Sequence, residues 1–80
     1  MLVEALEHLV KGIVDNPEAV SVAPKRLRRG QVLEVRVAPE DLGRAIGRGG
    51  RTARALRQVI NALAKDEDVR VDLVDTDRLR

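Results

Sequence analysis

Apolar residues recur along the chain with two different rhythms. At the N-terminus Leu2, Leu6, Leu9 and Ile13 stand three or four residues apart with Ala5 on the same side, while Glu4, Glu7, His8 and Lys11 face away. That spacing predicts an amphipathic helix. Val3, Val10 and Val14 widen its apolar stripe beyond what covering a thin sheet needs. The helix should stop near Asp15-Asn16-Pro17, because proline disfavours helical geometry in the residue before it.

From Val20 the period changes to two. Val20 and Val22 alternate with Ser21 and start a strand that continues past Pro24, which places it at a sheet edge. Arg29-Gly30 reads as a hairpin turn. Leu33, Val35 and Val37 then alternate with Val32, Glu34 and Arg36 in the cleanest strand of the chain. Ala38-Pro39-Glu40-Asp41 opens a short helix, since proline suits a first helical turn and acids suit the positive helix end. That helix runs through Leu42, Ala45 and Ile46 and breaks at Gly47. A longer helix is expected from about Arg51 to Lys65, with Ala53, Leu56, Val59, Ile60 and Leu63 on its buried side. After a turn at Asp66-Glu67-Asp68, Val69, Val71 and Leu73 alternate with Arg70 and Asp72 in a last strand. The order α-β-β-α-α-β, with one apolar side per strand, predicts an α+β fold: a three-stranded sheet with its helices on one face. Residues 1–75 read as one domain and 76–80 as a frayed tail.

Composition narrows the possibilities. A chain of 80 residues buries a modest core, so association with a second chain is expected. Without cysteine there is no disulfide framework and no thiolate chemistry. No apolar stretch approaches the roughly 20 residues that span a bilayer, and no basic stretch followed by an apolar run opens the chain. A cytoplasmic location and no membrane partner are the expectation. Phe, Tyr and Trp are all absent, which excludes RNA-binding surfaces of the RRM and OB type, where bases stack on aromatic rings. A nucleic acid would be held instead by backbone amides, aliphatic contacts and guanidinium groups.

The net charge is only +2, but it is unevenly spread. Arg44, Arg48, Arg51, Arg54 and Arg57 follow one another with no acid between them. Lys25, Arg26, Arg28, Arg29 and Arg36 form a second basic segment against Glu34 alone, whereas both ends of the chain are net acidic. Such a footprint suits a polyanion, and the plainer reading is a solvated basic face.

Inside the first basic segment lies Ile46-Gly47-Arg48-Gly49-Gly50-Arg51. Two helices so close in sequence need a sharp turn, which glycine supplies. Outward amides in the loop and at the start of the next helix would favour an anion. Gly49 and Gly50, lacking side chains, would let a sugar-phosphate backbone come close while Arg48, Arg51 and Arg54 neutralise it. Other phosphate loops fail: no Gly-Lys pair exists for a Walker A loop, and Thr52 stands where a dinucleotide fingerprint needs glycine after Gly49.

Ile46-Gly47-Arg48-Gly49-Gly50 resembles the I-G-x-x-G signature of KH domains, in the type II order of elements. With Asp15-Asn16-Pro17 and Val37-Ala38-Pro39-Glu40-Asp41, the chain is similar over about residues 1–74 to the small single-KH proteins of bacteria, the KhpA family. The resemblance implies single-stranded RNA binding of low sequence selectivity, a role as RNA chaperone or post-transcriptional regulator, and pairing with itself or with a second KH-containing protein of the Jag type. It places Gly47 to Gly50 as a clamp on about four nucleotides. Beside the clamp it places an aliphatic groove built from Ile46, Leu42 and the second strand around Val35 and Val37. Arg48 agrees with the family habit of a base inside the loop; Gly49 departs from it mildly and shifts affinity toward Arg51, Arg54 and Arg44. The surplus Val3, Val10 and Val14 are candidates for a protein interface or for extra core.

Catalysis has little support. His8 is the only histidine and reads as a solvated surface residue, and Ser21 and Thr52 lack an activating partner. Glu40 and Asp41 read as serving the helix dipole. Asp66, Glu67 and Asp68 are too close together to cage a metal without other ligands. No enzyme, cofactor or metal is expected. The alternative to RNA binding is a KH-like protein-interaction module with little RNA affinity of its own.

Overall fold

The computed structural model describes residues 1–65 and 67–77. Helix α1 spans Leu2–Lys11, strand β1 Ser21–Arg26, strand β2 Gln31–Val37, helix α2 Leu42–Ile46, helix α3 Arg51–Ala64 and strand β3 Val69–Asp75. Single 3₁₀ turns at Pro17–Ala19, Pro39–Asp41 and Arg48–Gly50 lead into β1, α2 and α3. The order matches the α-β-β-α-α-β pattern read from the sequence.

The sheet runs β1-β2-β3, with β1 antiparallel and β3 parallel to β2. Its register sets Val22 opposite Val35, and Leu33 opposite both Pro24 and Val71, on the face that the helices cover. Leu6 and Val10 of α1, Leu33, Val35 and Val37 of β2, and Ile60 of α3 have no exposed surface and form the centre of the core. Helices α1 and α3 pack on each other and on the two edge strands, α1 on β1 and α3 on β3. Burying several aliphatic side chains, each contributing roughly 1.5–3 kcal/mol, is the main force available to a domain this small.

Some details depart from the expectations. α1 ends at Lys11, before the Asp15-Asn16-Pro17 break, and Gly12 to Val14 form a turn in which Ile13 and Val14 donate to the Val10 carbonyl. That turn is what swings Val14 inward. Val10 and Val14 are core, and Val3 packs half-buried against it, so none of the three provides a free apolar surface. On α3 only Ala53, Leu56 and Ile60 are buried; Val59 is 43% and Leu63 53% exposed. A three-stranded sheet offers α3 a contact stripe narrower than the run of apolar residues on it. β3 extends through Asp75, and the Thr76 N–H donates to the Val37 carbonyl. The expected turn residue Asp66 and the tail residues 78–80 lie outside the described residues.

Gly30 fixes one end of the sheet. Its φ is +84°, and a Cβ there would overlap the Asp68 carbonyl, whose oxygen accepts the Gln31 N–H at 2.9 Å. The β1–β2 hairpin is thereby seated on the segment that leads into β3.

Candidate nucleic-acid interface

α2 and α3 meet at the glycine loop. Gly47, at φ +81° and ψ 163°, ends α2; a Cβ on it would stand 2.7 Å from the Thr52 nitrogen and 2.8 Å from its Cβ. This glycine is required by close packing of the loop on α3. Gly49 (φ +64°) and Gly50 (φ +76°) are also left-handed, but a Cβ at either position would meet nothing within 4 Å. They keep a surface open. The Gly50 N–H turns inward to the Gly47 carbonyl at 3.0 Å, so at least one loop amide is spent on the turn itself. α3 then begins with no side-chain cap and no acid in its first turn. The partial positive charge of its N-terminus is therefore left without a counter-charge from the chain.

Arg48, Arg51 and Arg54 are exposed around this loop and have no ion-pair partner among the described residues. Arg44 differs: its Nη2 lies 3.1 Å from Asp15 Oδ2. Of the arginines assigned to the loop from sequence, it is the one whose charge is already partly met. Ile46 is 37% exposed and offers an apolar contact beside the loop, while Leu42 is half-buried against the core.

Val35 and Val37 do not sit where the groove expectation put them. Both side chains have no exposed surface. β2 is the central strand, and the strand that α2 and α3 both contact is β3. A groove beside α2 and α3 is thus edged by β3, with Val35 and Val37 as its buried support.

Asp41 also has a role other than the one expected. It is 1% exposed and makes no capping bond to α2. Its carboxylate accepts the backbone N–H groups of Asp15 (3.2 Å) and Asn16 (3.0 Å) and the Asn16 side-chain amide (2.9 Å). Burial disfavours its charge, but the Asn16 amide, the two backbone donors and the Arg44 guanidinium outweigh that and hold its pKa below the usual aspartate value. The Asp15-Asn16 turn and the start of the loop helix are tied together through this carboxylate. Glu40, its neighbour, is exposed and only reaches Asn16 at 3.4 Å.

Sequence reasoning also passes over the contact that Arg57 makes. Its Nε donates to the Val71 carbonyl at 3.3 Å, bridging α3 to β3. The arginine run flags the residue, but only the placement of β3 under α3 reveals the contact. Among the described residues no three His or carboxylate side chains converge on a point that could hold a metal ion, and no helix is long and apolar enough to cross a membrane.

Comparison with known proteins identifies the family. Residues 3–74 match the family described as KhpA/KhpB, KH domain. The chain is 69% identical over 80 residues, covering all of both chains, to the RNA-binding protein KhpA of Streptomyces coelicolor. It is 54% identical over 78 residues to the protein of that name from Mycobacterium tuberculosis, covering 98% of this chain and 96% of the relative. With its counterpart in Clostridium acetobutylicum it shares 44% over 68 residues, 85% of this chain and 91% of the relative. The chain belongs to the KhpA/KhpB family of KH domains.

Proposed function

We propose that this chain binds single-stranded RNA at the Gly47–Gly50 loop, gripping the sugar-phosphate backbone with little sequence selectivity, and acts as an RNA chaperone or post-transcriptional regulator rather than an enzyme. The observation that carries the reading is the coincidence, on one surface, of two open glycines with three arginines that meet no acid among the described residues. The names of the relatives, RNA-binding proteins, support it. A backbone grip suits a chain without aromatic rings, because phosphate contacts need none. Arg48, Arg51 and Arg54 supply the charge, Ile46 an apolar contact, and Arg44 contributes less because Asp15 already faces it.

The test is the double substitution Arg48→Asp with Gly49→Asp. Gly49 has space for a side chain, and aspartate tolerates left-handed geometry, so the fold should persist. Binding to single-stranded RNA should be abolished in a mobility-shift titration; unchanged affinity of the folded variant overturns the reading. Affinity of the native protein should fall with salt at a slope of about 0.7 per neutralised phosphate.

Pairing with a second copy or with a second KH-containing protein of the Jag type belongs to the same proposal. Val59 and Leu63, four residues apart and so on one face of α3, are exposed apolar side chains that such a partner would cover. A solution mass of one chain for the isolated protein would remove the homodimer.

A further inference from the structure

The connection between α1 and β1 passes beside α2 and presents an acid there. Asp15 is far from Arg44 in the chain, yet its Oδ2 stands 3.1 Å from Arg44 Nη2, and both side chains are more than half exposed. The backbone beneath Asp15 is fixed. The buried Asp41 carboxylate accepts the N–H groups of Asp15 and Asn16 and the Asn16 side-chain amide. Asp41 also opens the short helix that carries Arg44. Asp15 is therefore delivered to Arg44 on a clamped main chain, with only its side chain free to turn.

As a structural link the pair is redundant. Exposed ion pairs contribute little to stability, and the hydrogen bonds to Asp41 already join this connection to α2. Its consequence falls on charge instead. Gly47 ends α2, so Arg44 stands one helical turn before the glycine loop, about 4.5 Å along the axis. It borders the field set up by Arg48, Arg51 and Arg54. Among the described residues Asp15 is the only acid that pairs with an arginine of the run from Arg44 to Arg57. A carboxylate and a phosphate engage a guanidinium through the same donors. Asp15 and a phosphate at the loop therefore compete for Arg44.

We infer that Asp15 is an affinity-setting residue: its carboxylate stands in for an RNA phosphate on Arg44, and a bound strand must displace it. The inference rests on the RNA reading above and adds an internal competitor to it. In the free protein the carboxylate meets Arg44. In the complex it turns into solvent, where it is already largely exposed, and Arg44 takes a phosphate. The Asp41 clamp on the backbone is the same in both states, so the exchange needs a side-chain rotation and no change of fold. As a strand leaves, the carboxylate is at hand to reclaim Arg44, which speeds release. An RNA chaperone must let its strand go, and a grip held back in this way serves that end.

The experiment is a fluorescence-anisotropy titration of the full chain with eight-nucleotide oligouridine over a range of salt concentrations. Asp15→Asn keeps the backbone N–H that Asp41 accepts and frees Arg44. Affinity should rise about two- to fivefold near 0.1 M salt, and the salt slope should steepen by about 0.7 for one more phosphate neutralised. Asp15→Ala, which keeps the same N–H, should give the same result. Glu40→Gln removes an equal charge from the exposed neighbour of Asp41, which pairs with no base among the described residues, and should leave the slope unchanged. In an Arg44→Gln background Asp15→Asn should have no effect. No gain from either Asp15 variant, an equal gain from Glu40→Gln, or a gain that survives in Arg44→Gln overturns the inference while the RNA reading stands. Failure of the native protein and its Asp15 variants to bind the oligonucleotide overturns both.

Discussion

The two basic segments look alike as strings of residues and differ in three dimensions. In the hairpin segment Arg26 pairs with Glu67 at 3.0 Å, while Lys25 and Arg36 share Glu34 at 3.4 and 3.3 Å. Gly30 there is pressed against Asp68 and has no room to spare. In the loop segment Arg48, Arg51 and Arg54 meet no acid among the described residues, and two of three loop glycines face open space. A run of like charges is therefore not yet a binding surface. The difference is made by acids arriving from elsewhere in the fold, and by whether a glycine serves packing or access.

Charge reversal should separate the two ends most sharply. Arg48→Glu, Arg51→Glu and Arg54→Glu together should weaken single-stranded RNA binding at least about a hundredfold near 0.1 M salt, and flatten the salt slope by roughly 0.7 for each phosphate no longer neutralised. Arg28→Glu with Arg29→Glu, at the exposed tip of the hairpin, should change affinity less than about threefold. Equal losses in the two variants, read by the same mobility-shift titration, would show that the comparison misplaces the interface.

Glycine substitutions test the same contrast through stability. Gly30→Ala adds a Cβ that overlaps a backbone carbonyl at positive φ, and should cost about 3 kcal/mol. Gly49→Ala meets only the conformational cost of a left-handed residue, about 1 kcal/mol, or roughly 4–8 °C in Tm for a domain of this size. Urea denaturation of both variants checks the ratio; a Gly49 variant as unstable as the Gly30 variant would mean the loop is packed rather than open.

How far the sequence carries this account depends on the kind of interaction. Element order, the alternation of β2 and the glycine loop are local patterns, and Leu33, Val35 and Val37 lie in the core as their period requires. The end of α1 is not legible in the sequence, because its apolar spacing continues through Ile13 and Val14 after the helical backbone has stopped at Lys11. Val59 and Leu63 fit a buried helix face by period, yet how wide a face the sheet can cover is a tertiary property. The strand beside the loop is misjudged from sequence for the same reason: the central place of β2 and the edge place of β3 follow from a parallel crossover that single positions do not encode. The loop residues can be picked out, but the pairing of Arg44 with Asp15 and of Arg57 with the Val71 carbonyl joins segments far apart in the chain.

The smallest expected effect lies in acid and concerns Asp41, which ties the loop end to the α1–β1 connection. Its folded pKa is below the unfolded value of about 3.9. The stability it contributes is present in full above that value and is lost as the pH falls through it toward the folded pKa. Protonation removes the charge that the Asp15 and Asn16 N–H groups, the Asn16 amide and Arg44 all favour, so the start of α2 should loosen first. The hairpin end, where Gly30 and Gln31 rest on a backbone carbonyl that does not titrate, should not follow. Amide exchange of Asp15, Asn16 and the α2 residues should therefore speed up relative to Gln31 as the pH falls below about 4, after correction for intrinsic rates. Asp41→Asn should show fast exchange at the loop end at every pH and no such step. A step of equal size at Gln31 would mean that acid unfolds the domain as one unit, and that the two ends differ in what they bind but not in what holds them.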